Sequence, residues 1–161
     1  MNWEALYHKQ RQLDRYIEEH QGVTKGSKIE EKTLALLVEL GELANETRCF
    51  KFWSTKGASE QHVILEEYVD GLHFLLSLGL DLDMRYDYET IEHSADHLMD
   101  AFLQVYSAID DFRKGQTKEA YQILFTAFLD LGHQLGFSPQ DIMNAYHEKN
   151  EVNFERQDQG Y

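Results

Sequence analysis

The sequence predicts an all-α fold, a bundle of about five to six helices, on three observations. Apolar residues recur at three- and four-residue spacing through most of the chain, and nothing alternates convincingly with period two. One proline, Pro139, interrupts 161 residues, which leaves room for long unbroken helices. The hydrophobic content of 42%, with nine Phe, nine Tyr and two Trp, is enough to pack the core of one domain spanning 1–161.

Each element follows from its local pattern. Residues 2–20 read as an amphipathic helix with Trp3, Leu6, Leu13, Tyr16 and Ile17 near one face. Residues 22–26 form a loop, and Ser27 stands three residues before Glu30, a capping-box spacing. The second helix, about 28–48, carries Leu34, Leu37, Leu40, Leu43 and Ala44 as its apolar stripe. A connection containing Gly57 leads to the third, about 60–78. Its residues Val63, Leu65, Val69, Leu72, Leu75 and Leu76 predict burial on most sides. After a polar turn at 81–88, helices at about 89–113 and 117–135 are separated by Gly115. Gly136 ends the fifth, and Ser138-Pro139 opens the sixth with proline at the first helical position.

Composition excludes several function classes. Acidic residues outnumber basic ones 29 to 15, and no Lys/Arg cluster stands out, so a nucleic-acid backbone is not an expected partner. Cys49 is the only cysteine, which rules out an intrachain disulfide and a zinc knuckle. The first residues show neither a basic nor an apolar signal region. The longest apolar run, at 72–80, is broken by His73, Ser77 and Gly79 and is too short to span a bilayer. No membrane partner and a cytoplasmic location are the expectation.

Two acidic pairs interrupt the two most apolar helices: Glu39-x-x-Glu42 and Glu67-x-x-Asp70. Spacing i,i+3 is about 300° around a helix, so each pair points to one side. Two helices joined by a loop pack antiparallel and bring the four carboxylates together. Unpaired charges at that range repel strongly, and divalent cations resolve the conflict. All-oxygen ligands favour Mg²⁺, with Mn²⁺ as substitute, over a softer metal. A di-iron site wants Glu-x-x-His on two helices, a pattern this sequence lacks. Glu46 and Glu66 are rival ligands that spacing does not eliminate.

At these residues the chain resembles a known family. The run from Val38-Glu39-Leu40-Gly41-Glu42-Leu43 through Lys51-Phe52-Trp53-Ser54 resembles the second motif of the dimeric, all-α dUTPases. Glu66-Glu67-Tyr68-Val69-Asp70-Gly71 resembles their ExxD helix, and Lys149-Asn150-Glu151-Val152-Asn153-Phe154, continuing to Tyr161, resembles their last motif. Residues 10–17 look like the first. Residues 80–140 carry no diagnostic motif, and many relatives continue beyond the equivalent of Gly160-Tyr161. The helical core is shared with the wider MazG-like pyrophosphatases, so fold alone does not fix the substrate.

The resemblance implies hydrolysis of dUTP to dUMP and pyrophosphate, with dUDP as a further candidate substrate. Glu39, Glu42, Glu67 and Asp70 would hold Mg²⁺, and Glu39 would also activate the attacking water. Gln10 and Asp14, one helical turn apart, would read the polar edge of uracil. Trp53 would pack on base or sugar. Lys51, Lys149 and Arg156 would meet phosphate oxygens, and Asn150 and Asn153 would contact hydroxyls or the base. Asp14 keeps a dCTP or broader nucleotide pyrophosphatase in play, because a carboxylate can accept from an exocyclic amine. Some phage relatives resemble factors that engage repressors, a partner the acidic surface would suit. A homodimer is expected from the family and from two broad apolar surfaces. One is the third helix; the other is the face carrying Tyr121, Leu124, Phe125, Phe128, Leu129 and Leu131.

Overall fold

The computed structural model describes residues 1–88 and 93–160, which form six helices and no strand. They are α1 (Trp3–Gln21), α2 (Ile29–Thr47), α3 (Gln61–Asp81), α4 (Leu98–Gly115), α5 (Lys118–Gln134) and α6 (Pro139–Asp158). Among the described residues no helix is long and apolar enough to cross a membrane.

Local chemistry sets most helix starts. Asn2 caps α1 through the Ala5 N–H, and Thr117 caps α5 through the Ala120 N–H. Ser138 and Asp141 form a reciprocal capping box on α6, with Pro139 at its start as the sequence predicts. Ser27 does not act as the expected cap. Its hydroxyl turns back to the Thr24 carbonyl at 2.6 Å, and α2 begins after Lys28 without a side-chain cap.

The fourth helix also departs from expectation, starting at Leu98 rather than near 89. Residues 89–92 lie outside the described residues; residues 93–97 are not helical. The buried Asp130 carboxylate on α5 accepts the N–H groups of Ser94 and Ala95, and Gln134 donates to the Ala95 carbonyl at 2.9 Å. Those backbone groups are committed to α5, and the helix starts only where the His97 ring caps the Asp100 N–H.

α3 is the centre, packing on α1, α2, α5 and α6. Val69, Leu72, Leu75 and Leu76 are buried, as its apolar pattern predicts, and Leu78 joins them, whereas Val63 and Leu65 of the same pattern are only partly buried. On α2 the buried stripe is Leu36, Leu40 and Leu43; Leu34, expected in the core, is 63% exposed. It lies two residues from Leu36, about 200° around the helix. The α5 face expected to remain for a partner is consumed inside the chain. Tyr121, Leu124, Phe125, Phe128, Leu129 and Leu131 are all buried beneath α4 and α3. Exposed large apolar residues occur elsewhere, at Leu34, Val38, Phe50, Phe52, Trp53, Met99 and Leu103.

Gly79 shows how closely α3 and α5 approach. A Cβ there would meet the Tyr121 hydroxyl, sit 2.7 Å from its ring and 2.8 Å from the Met84 carbonyl oxygen. Tyr121 cannot retreat, because its hydroxyl donates to the Leu75 carbonyl and bonds Tyr7, each at 2.9 Å. Gly79→Ala should therefore lower unfolding free energy by about 3 kcal/mol. A urea midpoint equal to that of the wild type would contradict this account.

Candidate active site

α2 and α3 run antiparallel. The Glu46 carboxylate accepts from the Ser59 hydroxyl at one end of the pair, and Lys32 meets Asp81 at 2.6 Å at the other. Apolar residues fill the seam between the two helices, so the acidic pairs are forced toward each other. Carboxylate oxygens of Glu39, Glu67 and Asp70 all lie within 4.8 Å of one another. Glu42 stands close enough for its charge to act on both Glu39 and Glu67.

The electrostatics follow from this crowding. Burial, then the charges of Asp70 and Glu42, push the Glu39 carboxyl up to about 8. The same causes push Glu67 up to about 7. Asp70 is also raised, by burial above all, with Lys149 pulling the other way. Oε2 of both Glu39 and Glu67 is buried without a hydrogen-bond partner. Buried oxygens without donors, at this spacing and with an all-oxygen set, fit a divalent cation such as Mg²⁺ or Mn²⁺. The rival ligands have other partners: Glu46 bonds Ser59, and Glu66 pairs with Lys149 at 2.9 Å.

A cavity of about 380 Å³ opens beside the carboxylates, between α1, α2, α3 and α6. Its α3 wall extends from Asp70 to Asp81, about 16 Å of helix. That volume and length suit a nucleotide-sized ligand. Asn153 and Arg156 of α6 line it together with Glu39 and Asp70, and Arg156 lowers the Asp70 carboxyl electrostatically. Further along, Phe74 forms a wall over a buried polar floor of Gln10, Asp14, His73 and Ser77.

That floor is a single hydrogen-bonded network. Gln10 Nε2 donates to Asp14 Oδ1 at 2.9 Å, and the Ser77 hydroxyl donates to Asp14 Oδ2 at 2.8 Å. Gln10 Oε1 lies 2.6 Å from His73 Nδ1 and accepts from the Tyr146 hydroxyl at 2.9 Å. Burial raises the Asp14 carboxyl against the opposing pull of Lys32, Ser77 and Gln10. Burial also holds the His73 imidazole down to about 3, so its ring is neutral.

Of the residues expected at the site, Gln10, Asp14, Glu39, Asp70, Asn153 and Arg156 line this one cavity. Glu42 and Glu67 adjoin it through the carboxylate cluster. Lys149 and Asn150 sit behind, both buried, with Lys149 3.2 Å from Asp70. Lys51 and Trp53 do not line it. They sit in the connection after α2, where Trp53 is 65% exposed. His73, Ser77 and Tyr146 were not anticipated. Their signal was His73 and Ser77 at i,i+4 inside the most apolar helix, facing Gln10 and Asp14 at the same spacing on α1.

A family model described as dUTPase matches residues 2–161. Comparison with curated proteins found no match.

The raised carboxyls give a testable pH dependence. Glu39 in the unfolded chain gives up its proton near its ordinary value of 4.5, but in the folded protein near 8. Between those values the folded state binds more protons, so stability falls as pH rises through that window. Glu39→Gln removes the charge. In the presence of a chelator, the variant should melt above the wild type by roughly 3 °C at pH 8, a modest figure because the group is only partly buried. The gap should close near pH 4.5. Equal melting curves at both pH values would contradict the crowded-carboxylate reading.

Proposed function

The chain belongs to the all-α dUTPase family, whose activity is dUTP diphosphatase, and from this premise we propose how its residues perform the reaction. One domain over residues 1–161 converts dUTP to dUMP and pyrophosphate in the cytoplasm. The observation that carries this reading is the group of Glu39, Glu67 and Asp70 oxygens within 4.8 Å, placed at one end of a nucleotide-sized cavity. Glu39, Glu42, Glu67 and Asp70 would hold Mg²⁺, or Mn²⁺ in its place. Bound there, the cation would neutralise phosphoryl oxygens and make water a competent nucleophile at neutral pH.

The chain's own groups do the rest. Glu39, which lines the cavity at the carboxylate cluster, takes the proton from the attacking water. Arg156, beside Asp70 and lining the cavity, binds the triphosphate through its planar fork. Asn153 reaches the sugar or phosphate from the same helix. Lys149 positions Asp70 and Glu66 from behind, a placement that supports a holding role over direct phosphate contact. Asn150 is buried beside it, its Nδ2 without a partner. Phe74 and the buried polar floor receive the base.

Lys51 and Trp53 fall outside the cavity, which supports a role for them in the site of a second copy. A homodimer would cover Trp53, Phe52, Leu34 and Val38, whose exposure a lone chain leaves uncompensated.

Three experiments test the reading. Glu67→Gln and Glu42→Gln should each lower kcat for dUTP by more than about 100-fold with helicity by circular dichroism unchanged. Chelation should abolish turnover, and full activity in EDTA would refute the metal assignment. For assembly, sedimentation equilibrium at micromolar concentration should give twice the chain mass of 18.9 kDa. A single species at the chain mass would refute the dimer.

A further inference from the structure

Resting on the reading of the cavity as the dUTP site, we infer that Tyr146, His73, Asp14 and Ser77 are positioning residues. Together they lock the Gln10 amide so that its free N–H meets the 4-carbonyl of uracil and rejects the 4-amino group of cytosine.

The orientation of Gln10 follows from its partners. An ionised carboxylate only accepts, so the amide group 2.9 Å from Asp14 Oδ1 must be the NH₂. The amide oxygen then faces the Tyr146 hydroxyl at 2.9 Å and His73 Nδ1 at 2.6 Å. Both must donate, which places the His73 proton on Nδ1. Turning the amide over would set its oxygen against the Asp14 carboxylate, acceptor facing acceptor, whereas the Tyr146 hydroxyl and the neutral His73 ring could each accept from the NH₂. The Asp14 contact therefore selects the orientation, and Tyr146 and His73 hold the amide oxygen once it is set.

Three of the four polar positions of Gln10 are thereby occupied by the chain itself. The remaining one is the second N–H of Nε2, on a residue that lines the cavity and is only 3% exposed. A donor buried to that degree demands an acceptor from the ligand. A pyrimidine has its 2-carbonyl next to the glycosidic bond and hence near the sugar. Its 4-position is the far edge, which penetrates deepest. Uracil presents an oxygen there. Cytosine presents an amine, and donor would face donor with neither satisfied.

Asp14 acts through Gln10. Both of its oxygens already accept from the chain, one from Gln10 and one from Ser77. The carboxylate therefore fixes which end of the amide faces the base. This assignment sets aside the direct reading of a cytosine amine by Asp14 that the sequence allowed.

The test is the ratio of kcat/KM for dUTP to that for dCTP, measured on full-length wild type, Tyr146→Phe, His73→Phe and Asp14→Asn. A ratio within one preparation is insensitive to any unfolded fraction. Tyr146→Phe and His73→Phe each remove one donor from Gln10 Oε1. Each should lower the ratio by about tenfold or more, with the loss for dUTP carried by KM rather than kcat. Asp14→Asn replaces an acceptor-only group with one that can present either an oxygen or an NH₂ to Gln10, so it should lower the ratio as well. If both phenylalanine variants lose dUTP and dCTP turnover by the same factor, the residues are merely structural and the inference fails. An unchanged ratio in Asp14→Asn overturns the role given to Asp14. A wild type that does not discriminate refutes the substrate reading and this inference with it. A discriminating wild type with unchanged variants refutes this inference alone.

Discussion

Like charges held together by apolar packing organise this molecule. Leu36, Leu40 and Leu43 on α2 and Val69, Leu72, Leu75 and Leu76 on α3 are nearly inaccessible to solvent. Their packing fixes the distance between the two helices. Glu39, Glu67 and Asp70 ride on those same helices and cannot separate without opening that seam. The repulsion is a local cost that the hydrophobic core sustains, and it appears as carboxyls reluctant to ionise. The remaining helices are arranged around this pair: α6 brings Lys149 and Arg156 to the acidic cluster, and α1 walls the cavity.

α6 connects the two chemical regions. Tyr146 reaches the Gln10 amide, and Lys149, one turn later, reaches Asp70. The polar floor and the acidic cluster are thus registered by one rigid element. A small rotation of α6 would disturb both together, so the geometries of the two regions are not independently adjustable in this fold.

What could be read from the sequence divides along physical lines. The acidic pairs were legible because charged residues at i,i+3 inside apolar helices have no local explanation. The start of α6 was legible because Ser138, Pro139 and Asp141 make their own cap. The start of α4 was not, because Asp130, some 35 residues away, decides it. Apolar periodicity on α5 announced burial but not by what, and α4 covers it where a second copy was expected. On α2 the pattern held several leucines, and only packing showed that Leu36 rather than Leu34 faces inward. His73 and Ser77 were visible only as interruptions of an apolar run. Their purpose lies in partners on α1, 63 residues distant. Trp53 was legible as a motif residue, yet it stands exposed outside the cavity that the other motif residues line.

The contacts of α6 also bear on the order in which the chain can assemble. The α2–α3 hairpin closes through residues 49 apart, Lys32 and Asp81, whereas the α6 contacts span 83 residues from Glu66 to Lys149 and 140 from Leu6 to Tyr146. Loop-closure entropy grows with that separation, which favours the hairpin as the earlier event. The acidic cluster therefore comes together before the lysine that offsets it arrives. Its counter-charge is the last piece to dock.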